Sequence, residues 1–404
     1  MRSLSFLLSS RKVLLLFGLA LAALVLIFGK QREGRALRCR FGPEYRVFNS
    51  RNKLIDAIAL VAFRKEQAVA FWSDADGLYG RRLDENGEAL GRAIPIDSRC
   101  RGGIDAVADA RAIYLACLRR SNQDANTDAR EVDFESRAGS VTVYGFSSEL
   151  DMKWARIVGS AGPMSKGVGI SLDRQGLLLA WHDGSRSEQS VWFVRLDASR
   201  GVTPRVISRN KGLAGAPSIF QGGGEPKIVW AETWVHKDEL EGEIMLSDGR
   251  SSPYALIDVH YHAATPRLLE LNGELILAYR DQRTREETPG IYAARLGKDE
   301  RIVGEPVRIA RADTEERPSL SSCFNGVVTA APRTYGHDRM VGVNWFDASL
   351  SKLGGEQQFC EDTREFSLAA SACMGSRALL LIGERGSSTQ EYTAIRSATF
   401  WCSL

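Results

Sequence analysis

The chain has 404 residues, of which 44% are hydrophobic and 25% are charged, and this balance excludes wholesale disorder. Its formal net charge is +3, with no long basic block beyond the N-terminal region, so we do not expect a nucleic-acid partner. The chain contains 38 glycines, and short apolar runs alternate with turn residues, which predicts an all-β protein.

The first predicted element is a transmembrane helix that acts as a signal anchor over residues 13–29. This apolar run, VLLLFGLALAALVLIFG, has 17 residues, near the lower length limit for a bilayer-spanning helix. Residues 1–12 would be its cytoplasmic N-terminus and residues 30–40 a basic stem. A cleaved signal peptide is the alternative, but the small-x-small site Ala20-Leu21-Ala22 lies inside the run, where cleavage would leave an apolar N-terminus.

Two features of the sequence disagree about the orientation of this helix in the membrane. More basic residues follow it than precede it, which by the positive-inside rule would place the body in the cytoplasm. The cysteines favour the opposite side, because disulfides persist in oxidising compartments. We follow the cysteines and expect a single-pass membrane protein with its body on the extracytoplasmic side, periplasmic or outer.

The body repeats with a period near 50. Segments 78–91, 191–204 and 291–306 each read as a strand, a polar turn and a second strand. An apolar residue recurs in steps of 50 at Phe146, Leu196, Leu246, Leu296 and Phe346. The longer first step, from Leu83, is explained by the polar insert 120–140. Short strands repeating at this period predict a seven-bladed β-propeller over residues 41–404, with one four-stranded blade per repeat.

The seventh repeat has sequence for three strands only, so another segment must complete its sheet. An open ring would leave a long strand edge exposed. The segment GPEYRVFN at 42–49 precedes the first blade and can supply the missing outer strand. We therefore predict that an N-terminal strand closes the propeller beside the C-terminal one.

Six of the seven cysteines can be paired on this plan. Cys39 precedes the closing strand and Cys402 ends the last one, so a bond between them would tie the ring. Two further pairs are Cys100 with Cys117, across one hairpin, and Cys323 with Cys373, in equivalent slots of blades six and seven. The alternative is a set of free, buried thiols. Cys360 has no evident partner.

Charged residues recur where the second strand, B, of each blade ends. In four blades an aromatic residue, one intervening residue and an acid follow one another, as in Trp230 and Glu232. We name the resulting set the rim ring, five carboxylates and two arginines on the face of the B–C loops: Asp74, Arg119, Asp183, Glu232, Asp281, Arg333 and Glu384.

Two interpretations of the rim ring compete. Repetition favours a structural role, because residues two apart share one side of a strand and each acid could then bond to a neighbouring turn. In the functional interpretation the face binds a partner, with Trp234 from a loop taking part. Blade five is particular for its arginines, Arg280 and Arg283, beside the repeated acid.

The set Glu232, Arg280, Asp281 and Arg333 resembles the carboxylates and arginines of sialidase-type glycosidases, which are also propellers. That resemblance implies a glycoside-acting site on the same face. The Asp-box of those families, S-x-D-x-G-x-T-W, is missing, and the nearest segment, SLDRQGLL at 171–178, has its glycine one place late and lacks the aromatic residue. No catalytic role is therefore transferred.

The expected function is that of a binding or scaffold module for a protein or glycan partner in the cell envelope. A membrane-tethered hydrolase or lyase acting on glycosides is the alternative. No catalytic residue and no cofactor is assigned. The close histidine pair, His260 and His262, lacks a third ligand, so no metal site is predicted.

Overall fold

The structure, a computed structural model, describes residues 38–403 with internal gaps. The gaps are 52–54, 65–66, 121–138, 163–164, 166, 185–188, 198–202, 210–211, 216, 223, 238, 284–287, 313–317, 324–325, 336–337, 360–364 and 386–391. The predicted cytoplasmic N-terminus, the transmembrane helix 13–29, most of the stem 30–40, and Cys360 lie outside the described residues. Within that part of the chain, no helix has the length and apolar character needed to span a membrane.

The described residues form seven antiparallel blades, and we number the strands in chain order. Blade one contains β2 (Ile55–Phe63), β3 (Gln67–Asp74), β4 (Gly77–Leu83) and β5 (Ala89–Asp97). Blade two contains β6 (Cys100–Ala108), β7 (Ile113–Arg119), β8 (Gly139–Phe146) and β9 (Met152–Ala161). Blade three contains β10 (Val168–Asp173), β11 (Gly176–Gly184), β12 (Gln189–Leu196) and β13 (Arg205–Val206).

Blades four and five share one sheet. Blade four has a first strand split into β14 (Leu213–Ala214) and β15 (Ser218–Phe220), followed by β16 (Lys227–His236) and β17 (Glu239–Ser247). The 18-residue strand β18 (Tyr254–Leu271) is the outer strand of blade four and continues as the inner strand of blade five. Blade five continues with β19 (Glu274–Gln282), β20 (Gly290–Leu296) and β21 (Ile302–Arg311). The pairing register shifts near Thr265, whose φ of 46° bends β18.

Blades six and seven complete the ring. Blade six contains β22 (Ser319–Cys323), β23 (Gly326–Tyr335), β24 (Asp338–Asp347) and β25 (Gln357–Phe359). Blade seven contains β26 (Glu365–Met374), β27 (Arg377–Arg385), β28 (Tyr392–Ser403) and, as its outer strand, β1 (Arg38–Arg51). The predicted closure by an N-terminal strand is confirmed. Residues Cys39–Trp401 form one compact unit.

The hairpin turns follow from local sequence. Between β18 and β19, Asn272 and Gly273 have φ values of 54° and 81°. A two-residue type I′ turn needs positive φ at both central positions, and Asn-Gly is the pair that adopts them at least cost. The turn therefore fixes the register of the hairpin, in which Leu271 lies opposite Glu274.

Apolar clusters fill the spaces between neighbouring blades. Trp72 packs with blade seven, Trp181 with blade two, Trp230 with blade three and Tyr279 with blade four, so each B-strand aromatic faces the preceding blade. All four side chains are at most 1% exposed. Complete burial of such large side chains supplies much of the free energy that holds the blades together.

Three disulfides are present, as predicted. Cys100 bonds to Cys117 across the β6–β7 hairpin, and Cys323 bonds to Cys373 between the inner strands of blades six and seven. Cys39 and Cys402 are the other two disulfide-bonded cysteines. The alternative of free, buried thiols is wrong for these six residues.

Candidate functional site on the B–C loop face

Strand alternation positions the rim ring. Because residues two apart share one side of a strand, the acid that follows each buried aromatic residue also points toward the preceding blade. Asp74, Glu232, Asp281 and Glu384 are all at most 3% exposed, and Asp183 is half-buried. The ring is therefore a set of interior groups, and each member must be explained by its contacts.

Asp183 and Glu232 bind the chain segment that arrives from the preceding blade. The Gly162 amide, just after β9, donates to Asp183 Oδ1 at 2.5 Å. The Arg209 amide, just after β13, donates to Glu232 Oε1 at 3.0 Å, and Trp230 Nε1 donates to the same oxygen at 3.0 Å. Each acid thus satisfies a backbone N–H of the crossover between blades, which is the structural role that repetition favoured.

Burial is the main influence on the pKa of Asp183. Loss of water around the carboxylate raises the pKa of Asp183 above its ordinary value, while the amides of Gly162 and Gly184 act in the opposite direction. Burial is the larger of the two causes, because the charged form loses more hydration than two backbone amides return.

Glu384 is paired with an arginine of its own blade. Arg396 Nε donates to Glu384 Oε1 at 2.6 Å, and Arg396 Nη1 donates to Glu44 Oε2 at 3.0 Å. Glu44 lies on β1, the closing strand. The guanidinium therefore joins the acid of the rim ring to the strand that completes blade seven.

The two arginines of the rim ring also have internal acid partners. Arg119 Nε lies 3.1 Å from Asp97 Oδ2, at the end of the outer strand of blade one. Tyr144 Oη donates to the same oxygen at 2.6 Å, and burial together with Asp97 raises the pKa of Tyr144. Arg333 forms an ion pair with Glu356, which precedes the outer strand of its own blade.

In blade five the arginines differ in their surroundings. Arg283 stacks over the Tyr292 ring at 4.3 Å, donates to the Pro306 carbonyl at 3.2 Å and lies 4.0 Å from Asp281 Oδ2. Burial and the nearby Asp281 raise the pKa of Tyr279, so this phenol stays protonated. Arg280 is half-buried on the opposite side of β19 from Asp281.

Trp234 lies on strand β16 and not in a loop, because β16 continues for ten residues, to His236. Its Nε1 donates to Glu241 Oε2 at 3.0 Å, and His236 Nδ1 lies 3.7 Å from the same oxygen. Val235, between them, is 71% exposed. The hairpin projects a mixed polar and apolar tip.

Asp74 stabilises the turn that follows its own strand. The Asp76 amide donates to Asp74 Oδ1 at 2.8 Å, which is the bond of an Asx-turn between β3 and β4.

No group of three or more histidine, cysteine, aspartate or glutamate side chains in the described ranges could hold a metal ion.

Sequence reasoning missed Asp97, Glu356 and Arg396, the partners of three members of the rim ring. Arg396 carried no reliable signal, because the period of 50 reaches residue 396 while Phe400 fills the slot of the repeated apolar residue. Asp97 and Glu356 carried none, since their pairing depends on how the outer strands end.

The described residues form a seven-bladed propeller, and glycan-acting enzymes are among the solved structures that resemble it. No protein-family model and no curated protein sequence matches the chain. An ulvan lyase of polysaccharide lyase family PL25, solved bound to -[GlcA(1-4)Rha3S]-, is 10% identical with a TM-score of 0.54, over 89% of this chain and 95% of its own. A protein of unknown function from Dyadobacter fermentans is 9% identical with a TM-score of 0.51, over 90% of this chain and 99% of its own.

A third similar structure is the sialidase of Trypanosoma rangeli. It is 11% identical with a TM-score of 0.44, over 77% of this chain and 56% of its own. The two likenesses with TM-scores above 0.5 show a shared fold, and fold alone does not carry function.

Proposed function

We propose that this propeller is a binding module for an acidic polysaccharide, anchored by residues 13–29 and exposed outside the cytoplasm. One observation carries the proposal. Asp183, Glu232 and Glu384 each accept a hydrogen bond from a group that holds the ring together. Glycoside hydrolysis needs two carboxylates that converge on the substrate, and acids used in this way are not available for that work.

The ligand class follows from the related fold. The net charge of +3 gives no further support, because the basic residues of segment 1–40 supply it and the propeller, residues 41–404, has more acids than bases. The ulvan lyase that shares the fold was solved with glucuronate and sulfated rhamnose bound, so this architecture can present a surface to an acidic polysaccharide. The likeness supports a ligand class and no particular glycan.

The three disulfides support the compartment. Cystines are rare in the cytoplasm, where thiols are kept reduced, and three of them in one chain favour an oxidising environment. An apolar anchor ahead of the propeller would then hold the binding surface close to the membrane, among envelope polysaccharides.

The proposal is tested by direct binding of the full-length chain, purified in mild detergent. Dextran sulfate and hyaluronan are titrated against the immobilised protein, with neutral dextran as the control polymer. We expect saturable binding of at least one acidic polymer that weakens as salt is raised, because counterions are released and charges screened. Equal binding of dextran, or none of the three, would contradict the proposal.

A glycan-acting enzyme is the second candidate, and Glu232 is the observation that favours it. Its Oε1 is bonded twice, but its Oε2 is buried and has no hydrogen-bond partner among the described residues. A buried carboxylate oxygen without a partner is costly and is often retained for function.

Glu232→Gln separates the two candidates. The glutamine keeps an oxygen for the Arg209 and Trp230 donors but removes the charge. Under the binding proposal the variant binds acidic polysaccharide as the wild type does, and neither protein shortens the polymer. Depolymerisation by the wild type that is lost in the variant, measured by size-exclusion chromatography, would establish the enzyme instead.

A further inference from the structure

The outer side of the ring carries a cleft between blades five and six. It has a volume of about 770 Å³ and lies between strand β21 and the turn after β24. Its polar lining includes Arg308, Arg311, Ser349, Ser351, Lys352 and Glu356. Three cations therefore face a space whose described lining has a single carboxylate.

That carboxylate is already engaged. Glu356 pairs with the buried Arg333, and Asn344 Nδ2 donates to Glu356 Oε2 at 3.3 Å. Glu356 thus offsets the charge of Arg333, and it is the one acid among the described residues that line the cleft. Cations outnumber acids in this described lining, which favours a positive local potential.

Lys352 is the third cation of the cleft. It is an exposed residue, and its ammonium group forms no ion pair within the described part of the chain. Partial loss of hydration lowers the pKa of Lys352, and the neighbouring Arg333 guanidinium lowers it further. An anion beside the ammonium would oppose both effects, because opposite charge favours the protonated form.

Arg308 is held in position by two backbone carbonyl groups. Its Nη2 donates to the Thr288 carbonyl at 2.9 Å and to the Pro289 carbonyl at 3.2 Å, which fixes the guanidinium at the mouth of the cleft. Arg280 adds a further positive charge on the side of the cleft that faces the interior. It lies on the same side of β19 as Ile276 and Ala278, which pack toward blade six.

A second cleft shows that arginines alone do not make such a site. Between blades three and four a space of about 460 Å³ is lined by Arg174, Arg195 and Arg250, but also by Asp173 and Glu225. Arg195 pairs with Asp173, and Arg250 pairs with Glu225 at 2.7 Å. Its charges are largely matched, in contrast to the cleft of blades five and six.

We propose that the cleft between blades five and six binds an oxyanion substituent, sulfate or carboxylate, of an acidic polysaccharide. This inference rests on the proposed function and gives it a place on the ring. The guanidinium groups offer paired N–H donors that match an oxyanion, and the Lys352 ammonium offers a compact charge. The hydroxyl groups of Ser349 and Ser351 are bonded to Asp347 and to each other, so the cations carry the recognition.

The test is a double variant, Lys352→Ala with Arg311→Ala, in the full-length chain. The matched control is Arg174→Ala with Arg250→Ala, which removes the same charge from the other cleft. Dextran sulfate presents sulfate only, hyaluronan presents carboxylate only, and thermal unfolding verifies that each variant is folded. We expect the first variant to lose affinity by about 100-fold, since each lost charged contact costs about tenfold, and the control by less than threefold.

The outcomes separate the two proposals. Loss confined to dextran sulfate assigns the cleft to sulfate, and loss confined to hyaluronan assigns it to carboxylate. If the wild type binds but the cleft variant binds equally well, or both variants weaken alike, the cleft is not the site and the proposed function stands. If the wild type binds neither polymer, the proposed function fails and the cleft assignment fails with it.

Discussion

Arg396 and Glu384 are hydrogen-bonded in the interior of blade seven, with Nε 2.6 Å from Oε1, and the same guanidinium reaches Glu44 on the closing strand. Arg396 and Glu384 are 9% and 3% exposed, so the pair is held away from water. The first of four predictions follows from it.

Replacing Arg396 by Met leaves Glu384 as a buried carboxylate without its cation. Removing one partner of a buried pair costs about 3–5 kcal/mol of unfolding free energy. The measurement is urea unfolding of the wild type and variant under identical conditions. Arg250→Met is the control, because its pair with Glu225 is exposed and such pairs contribute less than about 1 kcal/mol. Equal losses in the two variants would mean that the closing strand does not depend on Arg396.

Asp183 predicts a dependence of stability on pH. Its folded-state pKa is raised above the ordinary value of 3.8, so the folded state binds the proton more readily than the unfolded state does. The Asp183 contribution to stability is therefore most favourable below pH 3.8, declines as the pH rises toward the raised pKa, and stays low above it.

Asp183→Asn removes this titration and keeps an oxygen for the Gly162 amide. The difference in unfolding midpoint, variant minus wild type, should accordingly become larger as the pH rises through that window. Thermal melts at closely spaced pH values measure it. A difference that is constant with pH, or that becomes smaller, would show that burial does not raise the pKa of Asp183.

The two located disulfides should differ in their contribution. Cys323–Cys373 closes a span of 50 residues and Cys100–Cys117 a span of 17. By the chain-entropy relation, losing the longer link costs about 4 kcal/mol and losing the shorter one about 3 kcal/mol. Paired Cys→Ala variants at each site, unfolded in urea, provide the comparison. A larger loss at Cys100–Cys117 would contradict the prediction.

Arg283 is predicted to stabilise the fold and not to bind ligand. Arg283→Ala removes the contact with the Tyr292 ring and the bond to the Pro306 carbonyl, for a loss of about 1–3 kcal/mol. Its affinity for dextran sulfate should match that of the wild type. A variant of unchanged stability with weakened binding would return Arg283 to the list of binding residues.

The repeat could be read from the sequence because its physical cause is local. Each B strand is buried on both faces between neighbouring blades, so a short apolar run that ends in a large side chain such as Trp181 or Tyr279 recurs from blade to blade. The number of blades and the closing strand followed from counting these units. A shortage of strands in the last repeat left only one segment able to cover the edge.

Exact spacing could not be read in the same way. Leu246 falls on the period of 50, yet it pairs with Val229 and packs toward blade five, whereas Leu196 packs with Trp181 toward the preceding blade. In blade seven the equivalent slot is Phe400, opposite Ala378, and not residue 396. Bulges and turn lengths set these offsets, and they depend on tertiary contacts.

The contacts of the rim ring could not be predicted from the sequence for another reason. The pairs of Arg119 with Asp97 and of Arg333 with Glu356 are made with the outer strands, whose sequences are the least regular of the four. The cleft between blades five and six depends on the same strands. Its cations, Arg308, Arg311 and Lys352, follow no repeat, so periodicity gave them no weight.

Blade seven combines β1 with the last three strands of the chain, and this affects the order in which the ring assembles. Glu44 and Arg396, which meet in this blade, are 352 positions apart in the chain. During synthesis, β1 emerges long before the strands it must join, and six blades can form in the meantime. The ring therefore completes in a last step of high contact order, which we expect to be slow. Until then β1 and the free edge of the growing ring are open to pairing with other chains.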